Sequence, residues 1–137
     1  MNKLLNKEIV SYIISKLKER GSFYGKVQTM KLMFLVEHFN IEKNKIEKNS
    51  LLGNEYRIYY LGPMSFEVSE AYDELEVDKI KEVKIFDEKL KEKIDKILEL
   101  FGKFDGLTLQ DKCLEMMGIT IKEKSKYFGC KISEIVK

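Results

Sequence analysis

The stretch EYRIYYLGPMSFEVSEAYDEL, residues 55–75, reads as strand, sharp turn and helix in quick succession. Tyr56, Ile58 and Tyr60 alternate with Glu55, Arg57 and Tyr59, the two-residue period of a strand rich in aromatic and β-branched side chains. Leu61-Gly62-Pro63 stops it, because Gly62 opens backbone angles closed to other residues and Pro63, the only proline, cannot donate to a ladder or sit inside a helix. Ser65 is placed to cap the helix that follows, in which Val68, Ala71, Tyr72 and Leu75 recur at helical spacing. The polar side of that helix carries Glu67, Glu70, Asp73 and Glu74 and no base. Such a face should repel a phosphate backbone and attract something positive.

Upstream, Leu5, Ile9, Tyr12, Ile13 and Leu17 share one face of a first helix that Gly21 ends. After the GSFYG loop, Val27–Phe39 is apolar on nearly all sides apart from Lys31, Glu37 and His38, so this second helix should form the centre of the core. Residues 40–54 lack periodicity and read as a loop or frayed helix. Downstream, Lys79–Phe86 alternates imperfectly and suggests a short strand pairing with Glu55–Tyr60. Asp87 can cap a helix burying Leu90, Ile94, Ile97, Leu98 and Phe101, closed by Gly102. Thr108 can cap another that ends at Gly118, and Thr120 with Glu123 has capping-box spacing ahead of a last segment that Gly129 breaks or kinks. The sum is an α+β, mostly α domain covering residues 1–137, of about six helices with a small two- or three-stranded antiparallel sheet.

Composition limits the function classes. With 25 Lys plus Arg against 23 Asp plus Glu, the formal charge of +2 is far from that of a polycation that coats nucleic acid. Arg occurs only at positions 20 and 57, so the planar fork suited to reading guanine is nearly absent. Cys113 and Cys130 are too few and too far apart for a metal knuckle or a secreted disulfide scaffold, which makes a reduced cytoplasmic setting the expectation. The first residues are charged every few positions, unlike a signal peptide or a membrane span.

Catalytic chemistry has little support. His38 is the only histidine and has no second histidine with which to form a metal pair, so a structural role is the plain reading. Cys130 has a neighbouring Lys131 but no histidine base beside it in sequence. No glycine-rich phosphate loop occurs, and neither an enzyme activity nor a cofactor is expected. The acids at 67, 70, 73 and 74 form a solvated helix face, a cation site or a partner contact. Lys122, Lys124, Lys126, Lys131 and Lys137, with Tyr127 and Phe128 among them, form the best basic patch, which is either a solvated face or a nucleic-acid contact.

Two motifs together resemble a known family. Lys31-Leu32-Met33-Phe34-Leu35 is similar to the K-L-L-Y/F-hydrophobic signature of the Panacea domain, the SocA-like or phage-associated protein family. Tyr60-Leu61-Gly62-Pro63-Met64-Ser65 resembles its aromatic-x-G-P turn. The resemblance covers Val27–Gly118; the histidine and tryptophan that members commonly carry late in the domain have no counterpart in Thr108–Gly118. It implies a mostly helical, protein-binding domain of the antitoxin or proteolytic-adaptor kind, with Lys31, Leu32 and Phe34 as framework and Gly62 and Pro63 holding the turn. The expectation is therefore a cytoplasmic, non-enzymatic regulator whose protein partner, a basic toxin for instance, meets Glu67, Glu70, Asp73, Glu74, Arg57 and Tyr59. The alternative is a winged-helix-like DNA-binding regulator using Lys122, Lys124, Lys126 and Lys131, with KIKEVKIF as one arm of a wing.

Overall fold

In a computed structural model that describes residues 3–85 and 87–136, the chain is α+β and mostly α. Helix α1 (Lys3–Glu19) leads to α2 (Lys26–His38), whose residues from Gln28 to His38 are all buried. A helix apolar all round has no solvent face to offer, and α2 is accordingly packed by α1, α3 (Phe66–Asp73), α4 (Glu88–Phe101) and α5 (Gly106–Met116). One apolar cluster runs from Ile9 and Ile13 through Phe34, Ile58, Ile94 and Leu109 to Ile132 on the short α6 (Ile132–Ile135). Among the described residues no helix is long and apolar enough to cross a membrane.

Between α2 and α3 lie two antiparallel hairpins. Strands β1 (Phe39–Asn40) and β2 (Lys45–Ile46) pair where the sequence reads as loop, turning at Asn44, whose φ of 54° suits asparagine. The loop beyond is tied to α2 by a buried carboxylate. Glu37 accepts from Ser50 Oγ (2.7 Å), the Asn54 amide (3.2 Å) and Asn54 Nδ2 (3.1 Å), and Asn54 exchanges two side-chain bonds with Asn6. Burial pushes the Glu37 carboxyl up, opposed by these donors. The His38 Nδ1–H donates to the Glu47 carbonyl (2.9 Å), and its ring packs on Phe34 and Tyr56. This network sets where the next strand begins.

Strand β3 (Arg57–Tyr59) pairs with β4 (Gly62–Met64), Ile58 opposite Pro63, rather than with Lys79–Phe86 as the alternation implied. Residues 80–85 form no strand; Phe86 lies outside the described residues. The reason is spacing: Val77, Ile80 and Val83 fall three apart and pack on the core from an irregular segment. The carbonyls of Val77 and Ile80 accept from Lys18 Nζ (2.6 and 3.2 Å) instead of from a neighbouring strand.

Three local readings also shift. Tyr60 belongs to the turn and not to the strand. Helix α5 is capped by Asp105, whose Oδ1 accepts from the Thr108 amide at 2.8 Å, so Thr108 lies inside the first turn. The capping box of Thr120 and Glu123 forms, but it opens a 3-10 stretch, Ile121–Tyr127.

Candidate docking face at the Gly-Pro hairpin

The hairpin is held from beneath by a buried lysine. Lys31, on α2, is 0% exposed, and its Nζ donates to the Pro63 carbonyl at 3.0 Å. Desolvation brings its pKa down to about 8. The two motifs noted in the sequence therefore touch: the lysine of one satisfies a carbonyl in the other. Gly62 has φ +87°, so the backbone favours glycine, and a Cβ there would lie 3.0 Å from Gln110 Cγ and push that side chain aside. From the outer side, Lys124 Nζ donates to the Tyr60 carbonyl and to Gln110 Oε1 (3.1 Å).

The C-terminal segment completes the sheet on the other edge of β3. Ile58 N–H donates to Cys130 O (3.0 Å), Gly129 N–H to Ile58 O (2.7 Å) and Ile132 N–H to Tyr56 O (3.1 Å), with Arg57 and Lys131 in bridge register. Both edges of β3 are thus occupied, and Phe128 is brought over the turn. Four rings follow one another across the surface: Phe66 to Tyr59 (centroids 5.5 Å apart), Tyr59 to Phe128 (5.6 Å) and Phe128 to Tyr60 (5.0 Å). Tyr60 is 78% exposed, Phe66 73% and Phe128 48%, with Leu61 beside them also exposed.

The charges around this patch are largely matched within the molecule. Glu55 accepts from Arg57 Nε (3.1 Å) and pairs with Lys131 Nζ (3.2 Å), and these two cations, Arg57 foremost, hold its carboxyl below the usual range. Arg57 Nη1 also donates to Gly129 O (2.8 Å). Lys122 and Lys126, on the 3-10 stretch, are exposed and form no ion pair among the described residues. Lys137 lies outside the described residues.

The acid-only face expected of α3 does not survive folding, because the bases come from elsewhere. Lys3 pairs with Glu70 (2.9 Å) and Glu74, Lys7 with Glu74 (3.1 Å) and Lys26 with Asp73 (2.7 Å). Glu67 accepts the Glu55 amide at 3.2 Å. Glu70, Asp73 and Glu74 serve to seat α3 against α1 and the start of α2, and the acidic surface offered to a basic toxin loses its support. Arg57 and Tyr59, by contrast, share one face with Lys124 and Lys131: members of two separate candidate sets meet at the hairpin. The sequence reading does not name Tyr60 or Phe66 as partner contacts, and it places Phe128 only within the lysine-rich patch. Their signal is an aromatic on each side of the Gly-Pro turn, with Phe66 off the period set by Val68, Ala71, Tyr72 and Leu75.

Neither cysteine joins this face as a reactive centre. Cys113 is buried, which pushes its thiol up to about 12, and Cys130 is half-buried. Comparison with protein-family models, with curated proteins and with solved structures returns no match for this chain.

Proposed function

We propose that this protein is a non-enzymatic, protein-binding regulator of the antitoxin-like kind, acting in the cytoplasm, and that its partner docks on Tyr59, Tyr60, Phe66 and Phe128. The observation that carries the reading is the run of four rings in contact, three of which, Tyr60, Phe66 and Phe128, are left in solvent. A contiguous apolar patch of this kind normally marks an interaction site, and rigid aromatics are the residues that anchor interfaces. Both cysteines are free, in keeping with a reducing compartment. The likeness of Lys31–Leu35 and Tyr60–Ser65 to the Panacea signature points the same way.

The chemistry of the partner changes sign from the sequence expectation. With Arg57 and Lys131 matched to Glu55, Lys124 bonds the Tyr60 carbonyl at the turn, and Lys122 and Lys126 on the same 3-10 stretch form no ion pair among the described residues. The fitting partner offers apolar anchors with acidic neighbours.

A second reading, contact with single-stranded nucleic acid, draws on Tyr60 and Phe128 lying beside those lysines, since bases stack on exposed rings. The duplex-reading winged-helix form has less support, because residues 80–85 build no wing. The test is capture from nuclease-treated extract with two variants. Tyr60→Ser/Phe66→Ser/Phe128→Ser is expected to lose the partner, and Glu70→Gln/Asp73→Asn/Glu74→Gln to keep it. Retention by the first variant, or binding that vanishes with nuclease, refutes the protein-docking reading.

A further inference from the structure

Hydrogen-bonding groups around the four rings are unevenly used, and the imbalance restricts what can lie on them. The oxygens are engaged within the molecule. The Tyr60 carbonyl and Gln110 Oε1 accept from Lys124, and the Gly129 carbonyl accepts from Arg57. The Cys130 and Ile58 carbonyls take the Ile58 and Gly129 amides, Glu55 takes Arg57 and Lys131, and Glu67 takes the Glu55 amide. Donors are left over instead. The hydroxyls of Tyr59 and Tyr60 and the amines of Lys122 and Lys126 have no partner among the described residues. A fitting partner therefore brings acceptors and few donors of its own.

That requirement separates the ways a polypeptide can dock. A partner strand has no edge of β3 to join, because β4 holds one side and the segment from Gly129 to Ile132 the other. An ordinary extended segment laid over the rings would bring an N–H at every residue to a surface whose oxygens are already engaged, and each one buried there unpaired is unfavourable. An amphipathic helix keeps its carbonyls for its own backbone and leaves the two hydroxyls unmatched. A proline-rich segment meets both conditions. It lacks an N–H at each proline, and the polyproline II helix has no internal hydrogen bonds, so its carbonyls are free to accept from Tyr59 and Tyr60. The rings suit it as well. Neighbours are tilted by 50° (Tyr59 and Phe66), 83° (Tyr59 and Phe128) and 59° (Tyr60 and Phe128), which makes the surface ridged and gives pyrrolidine rings clefts to enter. The same tilts break up the parallel platform on which successive bases would stack. Lys122 and Lys126, exposed on the stretch that leads to Phe128, favour an acidic residue beside the prolines.

We propose that the ring face binds a proline-rich segment in the polyproline II conformation, flanked by acidic residues. The proposal rests on the ring face being the docking site and specifies what docks there.

The test is a titration of the full chain followed by NMR of its amide and ring signals. Three probes are compared: a blocked hexaproline ending in two glutamates, a blocked peptide of the same length and charge in which threonine and alanine alternate in place of proline, and oligothymidylate. The proline peptide is expected to move the Tyr59, Tyr60, Phe66 and Phe128 signals saturably, with the threonine–alanine peptide weaker by about tenfold or more. Tyr59→Phe/Tyr60→Phe keeps both rings and removes only the hydroxyls, so it should fold as the parent does and bind the proline peptide about tenfold more weakly. Lys122→Ala/Lys126→Ala should also bind it more weakly. Equal binding of the two peptides, full affinity in either variant, the same shifts from oligothymidylate, or no saturable shift would each overturn the proposal. Its failure is distinct from failure of the docking reading. If the proline peptide leaves the rings unmoved while Tyr60→Ser/Phe66→Ser/Phe128→Ser still loses its partner in extract, the ring face stands and the proline-rich occupant is refuted.

Discussion

Lys31 is the residue on which the hairpin depends, and it titrates in a usable range. In the unfolded chain it holds its proton up to about 10.5, and in the fold only to about 8. Between those values the unfolded chain binds more protons at this group, so stability rises as the pH goes from about 8 to about 9. Above 9 the buried Cys113 thiol, raised from 9.0 to about 12, opposes the rise, and above 10 Tyr12 and Tyr56, also raised, turn the trend downward, because the unfolded chain loses those protons first. Urea midpoints measured at pH 7, 8 and 9 should climb for the parent and stay flatter for Lys31→Met, which keeps the bulk without the titration. Cys113 offers a second check at this scale. Its thiol, buried and pushed up to about 12, should resist iodoacetamide at pH 8 in the folded protein while the half-buried Cys130 is alkylated; peptide mass mapping reads the order directly.

Among the elements, the β3–β4 hairpin is the least tolerant of change. Gly62→Ala forces a Cβ into φ +87° and to within 3.0 Å of Gln110 Cγ, and should cost about 1–3 kcal/mol by urea denaturation. The helices α1, α2 and α4 were legible because their apolar residues repeat over many turns, as Ile94, Ile97 and Leu98 do. Short elements were not. Two residues of β1 and two of β2 show no period, and the exposed turn at Tyr60 interrupts an alternation that reads as continuous. The supposed strand at Lys79–Phe86 fails over its described residues because Val77, Ile80 and Val83 meet the core at a spacing of three, and Lys18, distant in sequence, satisfies the Ile80 carbonyl. Charge was the least legible property. Nothing near Glu70, Asp73 and Glu74 in sequence announces that Lys3, Lys7 and Lys26 will pair with them. The touching of Lys31 and Pro63 was likewise invisible, although both residues had been picked out as framework.

The whole molecule can be described as a buried helix, α2, whose Lys31 supports a hairpin that carries a face of exposed rings. Exposed ion pairs contribute little, so neutralising Glu70, Asp73 and Glu74 should leave the urea midpoint nearly unchanged and partner binding intact. Removing the ring face should do the reverse, since replacing exposed side chains ordinarily shifts stability by no more than about 0.5 kcal/mol while truncating an interface anchor costs about 2 kcal/mol or more of affinity. The most direct measurement is site-specific photocrosslinking in cells, with p-benzoylphenylalanine at Tyr60, at Phe66 and, as a control on α4, at the exposed Glu99, followed by nuclease treatment. The ring-face account predicts a covalent adduct with the same polypeptide from positions 60 and 66 and none from 99. Adducts that disappear with nuclease, or that form equally from all three positions, would contradict it.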